Sequence, residues 1–310
     1  MSKPYIGDWV LRSVLFIPGH IEEMLRKGAR VQPDCFILDL EDAVPEKFKT
    51  TGRNRVREAL EGGFYEGRTT FVRINSRATN YTLEDLQAVA HPNMHGIVYP
   101  RAERKDDIEY LENLLVKIER GLLLESPYFS IIPVCETPLG VINAYEIAGS
   151  SSRIVAMIFG CEDYLAELRG RHSSGERSLL TPRSQVAMAA RAAGVEPIDS
   201  PFVKVHDFER LQHFAEVGRD LGMAGMCALS PRQLPIIHEV FTPSLGEVGF
   251  AREIIDAAED GDKMGRTVRM SDGKFISPPT LKAALKTITR AEAIANLEEY
   301  YYNLNDGSME

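Results

Sequence analysis

Eight short apolar runs, each followed by a stretch with helical spacing, constrain the fold of this chain more than any other feature. The runs are residues 13–18 (SVLFIP), 35–40 (CFILDL), 70–75 (TFVRIN), 96–100 (GIVYP), 130–136 (SIIPVCE), 153–160 (RIVAMIFG), 201–205 (PFVKV) and 226–230 (MCALS). Amphipathic segments such as NRVREALEG, KDDIEYLENLLVKIE, SQVAMAARAAG and DFERLQHFAEVGRDLG separate them. A strand that is apolar nearly throughout is one buried on both faces, as in a parallel sheet, and intervening helices supply the crossovers. Eight consecutive βα units predict an α/β fold, a (β/α)8 TIM barrel rather than an open sheet. The barrel is expected over residues 1–245 and a C-terminal extension over 246–310. In that extension GEVGFAREIIDAAEDG and TLKAALKTITRAEAIANLEEYY read as helices, with GRTVRMSDGKFISPP as a hairpin-like or turn segment.

Bulk properties exclude several function classes. The 310 residues, 44% hydrophobic, suffice for a large core. A net charge of -9 argues against a nucleic-acid-binding surface, which leaves a basic excess. No apolar run approaches the roughly 20 residues that span a bilayer. The start MSKPYIGDWVLRS has no signal-peptide core, so a cytoplasmic protein is expected. Cys35, Cys135, Cys161 and Cys227 lie in or beside apolar runs without CxxC spacing. They read as reduced core residues.

In a TIM barrel the active site lies at the C-terminal ends of the strands. The polar residues of the apolar runs gather there. Asp39, Glu41 and Asp42 end the second run, Arg73 and Asn75 the third, Glu136 the fifth, and Asp163 follows the sixth. Charge inside an apolar run is costly unless it is paired or binds an ion. Glu136 and Asp163, at neighbouring strand ends, are candidate ligands for a hard cation such as Mg²⁺, with Mn²⁺ an alternative. Arg73 is a candidate for binding a substrate carboxylate or for pairing with Glu41 or Asp42. Asp39, Glu41 and Asp42 offer either a general base or a structural network. Lys49, ahead of a helix, could meet a phosphate or carboxylate or simply be exposed. His20 follows the first run and could line the mouth. His91 and His95 read as a surface loop, lacking the acidic partner of a helical zinc motif. Residues 165–182 form a polar insertion that either covers substrate or is flexible.

The pieces RSVLFIPG (12–19), DLEDAVPEKFKTTGR (39–53), FVRIN (71–75), CETPLG (135–140), GCEDY (160–164), AAGVEPIDSPFVKVHD (192–207) and LSPRQ (229–233) occur in one order. In this the chain resembles the citrate lyase β-subunit (CitE-like) group of the HpcH/HpaI aldolase/citrate lyase superfamily. The resemblance implies a (β/α)8 barrel, a divalent metal (usually Mg²⁺) and a homo-oligomer, trimer or hexamer. It also implies cleavage or formation of a C–C bond in a β-hydroxy acid or its CoA or acyl-carrier-protein thioester, with a 2-oxo acid as product. By position Glu136 and Asp163 match the metal-binding acids, Arg73 the arginine on the carboxylate or keto oxygen, and Lys49 a lysine after the acidic motif. A thioester hydrolase on the same scaffold, or a β-chain acting with partner subunits, is the competing expectation.

Two segments depart from that pattern. Relatives carry a lysine and a histidine at the eighth strand, where this chain has Met226 and Ser230. Relatives that act on malyl- or citramalyl-CoA carry an aspartate in the C-terminal extension, donated to a neighbouring subunit, where this chain has Ser277. A serine without an activator is no substitute for a carboxylate base. The metal-dependent class is therefore expected more firmly than any particular thioester.

Overall fold

The computed structural model describes residues 9–173, 175–263 and 276–305. It forms two compact units, one through residue 239 and one from residue 240.

In the first unit, eight parallel strands close into a barrel in sequence order. They are β1 (Ser13–Pro18), β2 (Cys35–Asp39), β3 (Thr70–Arg73), β4 (Gly96–Tyr99), β5 (Ser130–Cys135), β6 (Ala156–Phe159), β7 (Glu196–Asp199) and β8 (Gly225–Ala228). Pairing of Leu15 with Ala228 helps close the ring. The helices between them are α1 (Glu22–Gly28), α2 (Lys49–Glu61), α3 (Thr82–Val89), α4 (Lys105–Gly121), α5 (Pro138–Ile142), α6 (Ala144–Ala148), α7 (Cys161–Leu168), α8 (Arg177–Ala193) and α9 (Phe208–Asp220), with α10 (Leu234–Phe241) following β8. Val14, Ile37, Phe71, Val98, Ile132 and Ile198 belong to one buried cluster, against which Trp9 packs on Phe71. All four cysteines are free and buried, as expected of core residues.

The seventh strand differs from expectation. It is Glu196–Asp199, not PFVKV. Helix α8 ends at Gly194, which takes the left-handed conformation (φ 78°) that terminates helices, so the next strand starts at once. The more strand-like PFVKV lies beyond it, with Phe202 buried on Phe214 and Val203 exposed. The short EPID run is hard to see because it carries Pro197 and an acid. Asp199 is tolerated inside because buried Arg183 of α8 donates to both its oxygens. The expected loop 165–182 also shrinks, since α7 runs to Leu168 and α8 starts at Arg177.

In the second unit α11 (Leu245–Lys263) and α12 (Pro278–Asn305) share an apolar cluster that includes Ala251, Ile254, Ile276 and Ala284. Ser277 begins α12. Its hydroxyl accepts from the Thr280 N–H at 3.4 Å and lies 2.8 Å from the Thr280 hydroxyl, and its carbonyl accepts from Leu281. It thus serves as a helix cap. Most of the expected turn segment lies outside the described residues.

Two buried arginines outside the mouth are held by acids. Arg12 holds Asp34 through Nε and Nη2, both at 2.9 Å. Arg153 holds Glu119 through Nη1 at 2.6 Å and Nη2 at 2.8 Å, and Glu119 also accepts from the Tyr128 and Phe129 N–H groups. Burial pushes the Glu119 carboxyl up, but Arg153 and these N–H groups outweigh it and hold it below its ordinary value. The stability this contributes is present above the unfolded-chain value of about 4.3 and is lost as pH falls through the lower folded value. Glu119→Gln should therefore destabilise the protein by about 3 kcal/mol at neutral pH. In paired thermal melts the gap should shrink in acid; a gap constant with pH would contradict this origin.

Candidate active site

Register builds the centre of the site. Asp39 ends β2 directly opposite Arg73 at the end of β3. Arg73 donates from Nε and from Nη2 to the two oxygens of Asp39, each at 2.7 Å. Such a bidentate pair fixes the plane of the guanidinium. Its face lies over the Phe16 ring, 4.8 Å from the centroid. Nη1 is left pointing at Glu41 Oε2 (3.0 Å) and toward Asp42 Oδ2 (3.8 Å). The Glu41 contact is close but poorly aligned. Glu41 Oε2 is buried and finds no hydrogen-bond partner among the described residues. Asp42 stands at the rim, 65% exposed.

Glu136 follows β5 and is buried. Its Oε1 accepts from the Arg101 N–H at 2.7 Å. Arg101 takes a left-handed backbone (φ 50°), a conformation unusual for arginine and concentrated at functional sites. Gly160 presses on the other side of Glu136. A methyl group there would lie 2.6 Å from Glu136 Cβ and 2.9 Å from its Oε2. Asp163 sits half-buried in the first turn of α7, where a helix N-terminus favours negative charge. The Arg101 side chain pairs with Glu167 of α7 at 3.0 Å.

The electrostatics are unbalanced. Burial pushes Asp39 up, but Arg73 and the Glu41 and Ala43 N–H groups outweigh it and hold the carboxyl below its ordinary value. Burial raises Glu41; Arg73 opposes it, and Glu136, Asp42 and Asp39 add to it. Burial raises Glu136 as well, with Arg73 opposing and Asp163 adding. Asp163 is raised by burial and then by Asp42, against Arg101 and Arg73. Burial alone would lower Arg73, but Asp39, Glu41 and Glu136 keep it charged. Five acids thus act on two arginines. Mutual repulsion among these acids, a cluster of oxygen donors and a buried Glu41 oxygen without a hydrogen-bond partner among the described residues are conditions a hard divalent cation relieves. Glu136 and Asp163 fit as its holders.

Other expected residues fall differently. Lys49 is buried, and its ammonium donates to the carbonyls of Leu40 (2.8 Å) and Glu41 (2.8 Å) and to Asn75 Oδ1 (2.7 Å). Those three bonds use its three hydrogens. It holds the backbone of the acidic turn rather than reaching a ligand. The N–H groups of Gly140 and Gly160, near Glu136 and Asp163 in sequence, are consumed by Thr137 Oγ1 and the Cys135 carbonyl. His20 stacks on Phe48. His91 accepts from the Asn93 N–H, while His95 packs on Trp9 and Phe71 rather than in solvent. Ser230 caps the turn 231–233. Arg101 was not foreseen. The rule that picked Arg73 would have found it, since it directly follows the fourth apolar run.

The sequence matches the family described as HpcH/HpaI aldolase/citrate lyase over residues 12–231. Among curated relatives, the citrate lyase subunit beta of Haemophilus influenzae is 31% identical over 91% of this chain and 97% of its own length. A (3S)-malyl-CoA thioesterase of Cereibacter sphaeroides is 34% identical over 92% of this chain and 95% of its own. Among solved structures, Mycobacterium tuberculosis CitE with magnesium, acetoacetate and coenzyme A superposes with a TM-score of 0.72 at 28% identity, over 90% of this chain and 97% of that one. The citrate lyase beta subunit from the same organism, complexed with oxaloacetate and magnesium, gives 0.63 at 28% identity, over 76% and 99%.

Gly160→Ala tests the packing around Glu136 directly. The added methyl must displace the carboxylate, so Mg²⁺ affinity should fall about 10–100-fold while circular dichroism stays unchanged. Isothermal titration giving wild-type affinity would show that Gly160 does not set the position of Glu136.

Proposed function

The chain belongs to the HpcH/HpaI aldolase/citrate lyase family, and from that premise we propose that it is a Mg²⁺-dependent C–C lyase. Its substrate is a β-hydroxy acid or the CoA or acyl-carrier-protein thioester of one, and a 2-oxo acid is released. The observation that carries the reading is the surplus of buried carboxylates around a single anchored guanidinium at the barrel mouth. A cation held by Glu136 and Asp163 supplies Lewis-acid stabilisation of the oxygens of the 2-oxo acid.

The chain's own groups do the rest. Arg73, its plane fixed by Asp39, presents Nη1 to the substrate carboxylate. Asp42, exposed beside it, takes the proton of the hydroxyl as the C–C bond breaks. The bonding electrons leave with the acyl fragment as an enolate. Glu41, kept protonated by burial, donates a proton to that enolate carbon. Solvent restores both groups. Lys49 is a positioning residue in this scheme, because it binds the Glu41 carbonyl.

A second reading is supported by the 34% identity to a malyl-CoA thioesterase. There, water attacks the thioester carbonyl on the same scaffold. Ser277, as a helix cap, offers no carboxylate at the position where CoA lyases of this family carry one. A β-chain that acts with partner subunits is the third possibility. The reading also carries a cytoplasmic homo-oligomer, trimer or hexamer. Four free cysteines suit a reducing compartment, and light scattering on the purified protein tests the assembly.

A panel of β-hydroxyacyl-CoAs and free β-hydroxy acids, assayed with Mg²⁺ for 2-oxo acid and for free CoA, separates the readings. A 2-oxo acid is the expected product. Free CoA alone would establish the hydrolase, and neither product would overturn both. Arg73→Lys, which loses the paired donors, should lower kcat/KM by about 100-fold or more. Glu41 acts while protonated, so activity should fall as pH rises through its raised value. Glu41→Gln should lower kcat and remove that alkaline limb; an unchanged profile would take Glu41 out of proton transfer.

A further inference from the structure

A cavity of about 530 Å³ opens beside the loops that follow β6 and β7. Cys161, Glu162, His172, Glu176, Phe202 and Arg210 are among its lining residues. None of these has a part in the chemistry above. Three of them converge. One ligand atom each from Cys161, Glu162 and His172 lies within 4.8 Å of the other two. Cys161 Sγ is 3.5 Å from Glu162 Oε1, and His172 Nε2 is 2.9 Å from the same oxygen.

From this juxtaposition we propose that Cys161, Glu162 and His172 form a second metal site, selective for a borderline-soft divalent ion such as Zn²⁺ and distinct from the Glu136–Asp163 site. The donor set carries the argument. One sulfur, one nitrogen and one oxygen donor suit Zn²⁺ and repel Mg²⁺, which asks for oxygen alone. Zn–S near 2.3 Å and Zn–O near 2.1 Å at a tetrahedral angle place sulfur and oxygen about 3.6 Å apart, close to the 3.5 Å between Cys161 and Glu162. Nitrogen and oxygen should stand about 3.4 Å apart, so His172 must withdraw by about half an ångström. Both exposed side chains can make that adjustment. Water in the cavity can complete the coordination.

The surroundings also match a metal site. Metal-binding histidines usually donate their second ring N–H to a carboxylate. His172 Nδ1 lies 3.4 Å from Glu176 Oε2, and Glu176 is itself held by Arg210 at 3.1 Å. Ligation through Nε2 leaves the ring proton on Nδ1, facing Glu176. The Cys161 thiol proton passes to solvent. Arg169 and Glu176, which bracket His172, both adopt left-handed backbones (φ 58° and 51°). An ion here would fasten the segment around His172 to the first turn of α7, the turn that carries Asp163.

The test uses the full chain, stripped of metal, with Mg²⁺ in excess and Co²⁺ as the probe. A thiolate-to-cobalt charge-transfer band should saturate at one equivalent and disappear on addition of Zn²⁺. It should be absent in Cys161→Ser and persist in Glu136→Gln. Affinity should fall about 10–100-fold in Glu176→Gln, and His172→Ala, a change at a half-exposed side chain, provides a second variant if Cys161→Ser does not fold. No band in folded wild type, a band that survives Cys161→Ser, or one lost in Glu136→Gln would each overturn the site.

Discussion

A guanidinium that keeps its charge and a carboxylate withdrawn from water are locked together where β2 and β3 end. The Arg73–Asp39 pair is the interaction on which the mouth of this barrel depends. Strand register brings the two residues opposite each other before any side-chain choice is made. Once Asp39 takes the Nε hydrogen and one Nη2 hydrogen, Nη1 is the nitrogen that faces Glu41 and Asp42. One arginine cannot neutralise them all. The result is a pocket whose acids repel each other and whose buried Glu41 oxygen has no hydrogen-bond partner among the described residues. Such a site is held under electrostatic strain that a cation and an anionic substrate together relieve.

The supporting residues are built around that strain. Lys49 and Asn75 fix the turn after β2 from below; Asn75 donates to the Leu40 carbonyl and to Asp85. Arg101, in a backbone conformation arginine rarely takes, spends its N–H on Glu136. Gly160 lets β6 close against the same carboxylate. None of these groups needs to touch a substrate. Each restrains an acid of the mouth or the turn that carries it, and preorganisation of this kind is where much of an enzyme's rate enhancement originates.

The barrel was legible because buried parallel strands are nearly all apolar, and seven of the eight runs meet their strands. The seventh was not, because EPID carries proline and an aspartate whose partner, Arg183, lies 16 residues away in sequence. Periodicity does not register a charge that is cancelled from another element. The acids of the mouth were legible as charged residues at strand ends. The direction of Lys49 was not, since a lysine before a helix reads the same whether its ammonium meets solvent, a ligand or two carbonyls. Arg101 follows the fourth run, but what it gives Glu136 is a backbone N–H, which nearly every residue type carries and no side-chain pattern marks. The Cys161–Glu162–His172 cluster spans a loop, and adjacency across a loop has no period to read.

If Glu136 and Asp163 share a divalent cation beside Arg73, a crystal of the protein soaked with Mg²⁺ and oxaloacetate should show one ion with a carboxylate oxygen from each residue at about 2.1 Å, and the oxaloacetate carboxylate on Arg73 Nη1 in place of Glu41. An ion bound elsewhere, or oxaloacetate seated at the mouth with neither acid coordinating a metal, would contradict the shared site.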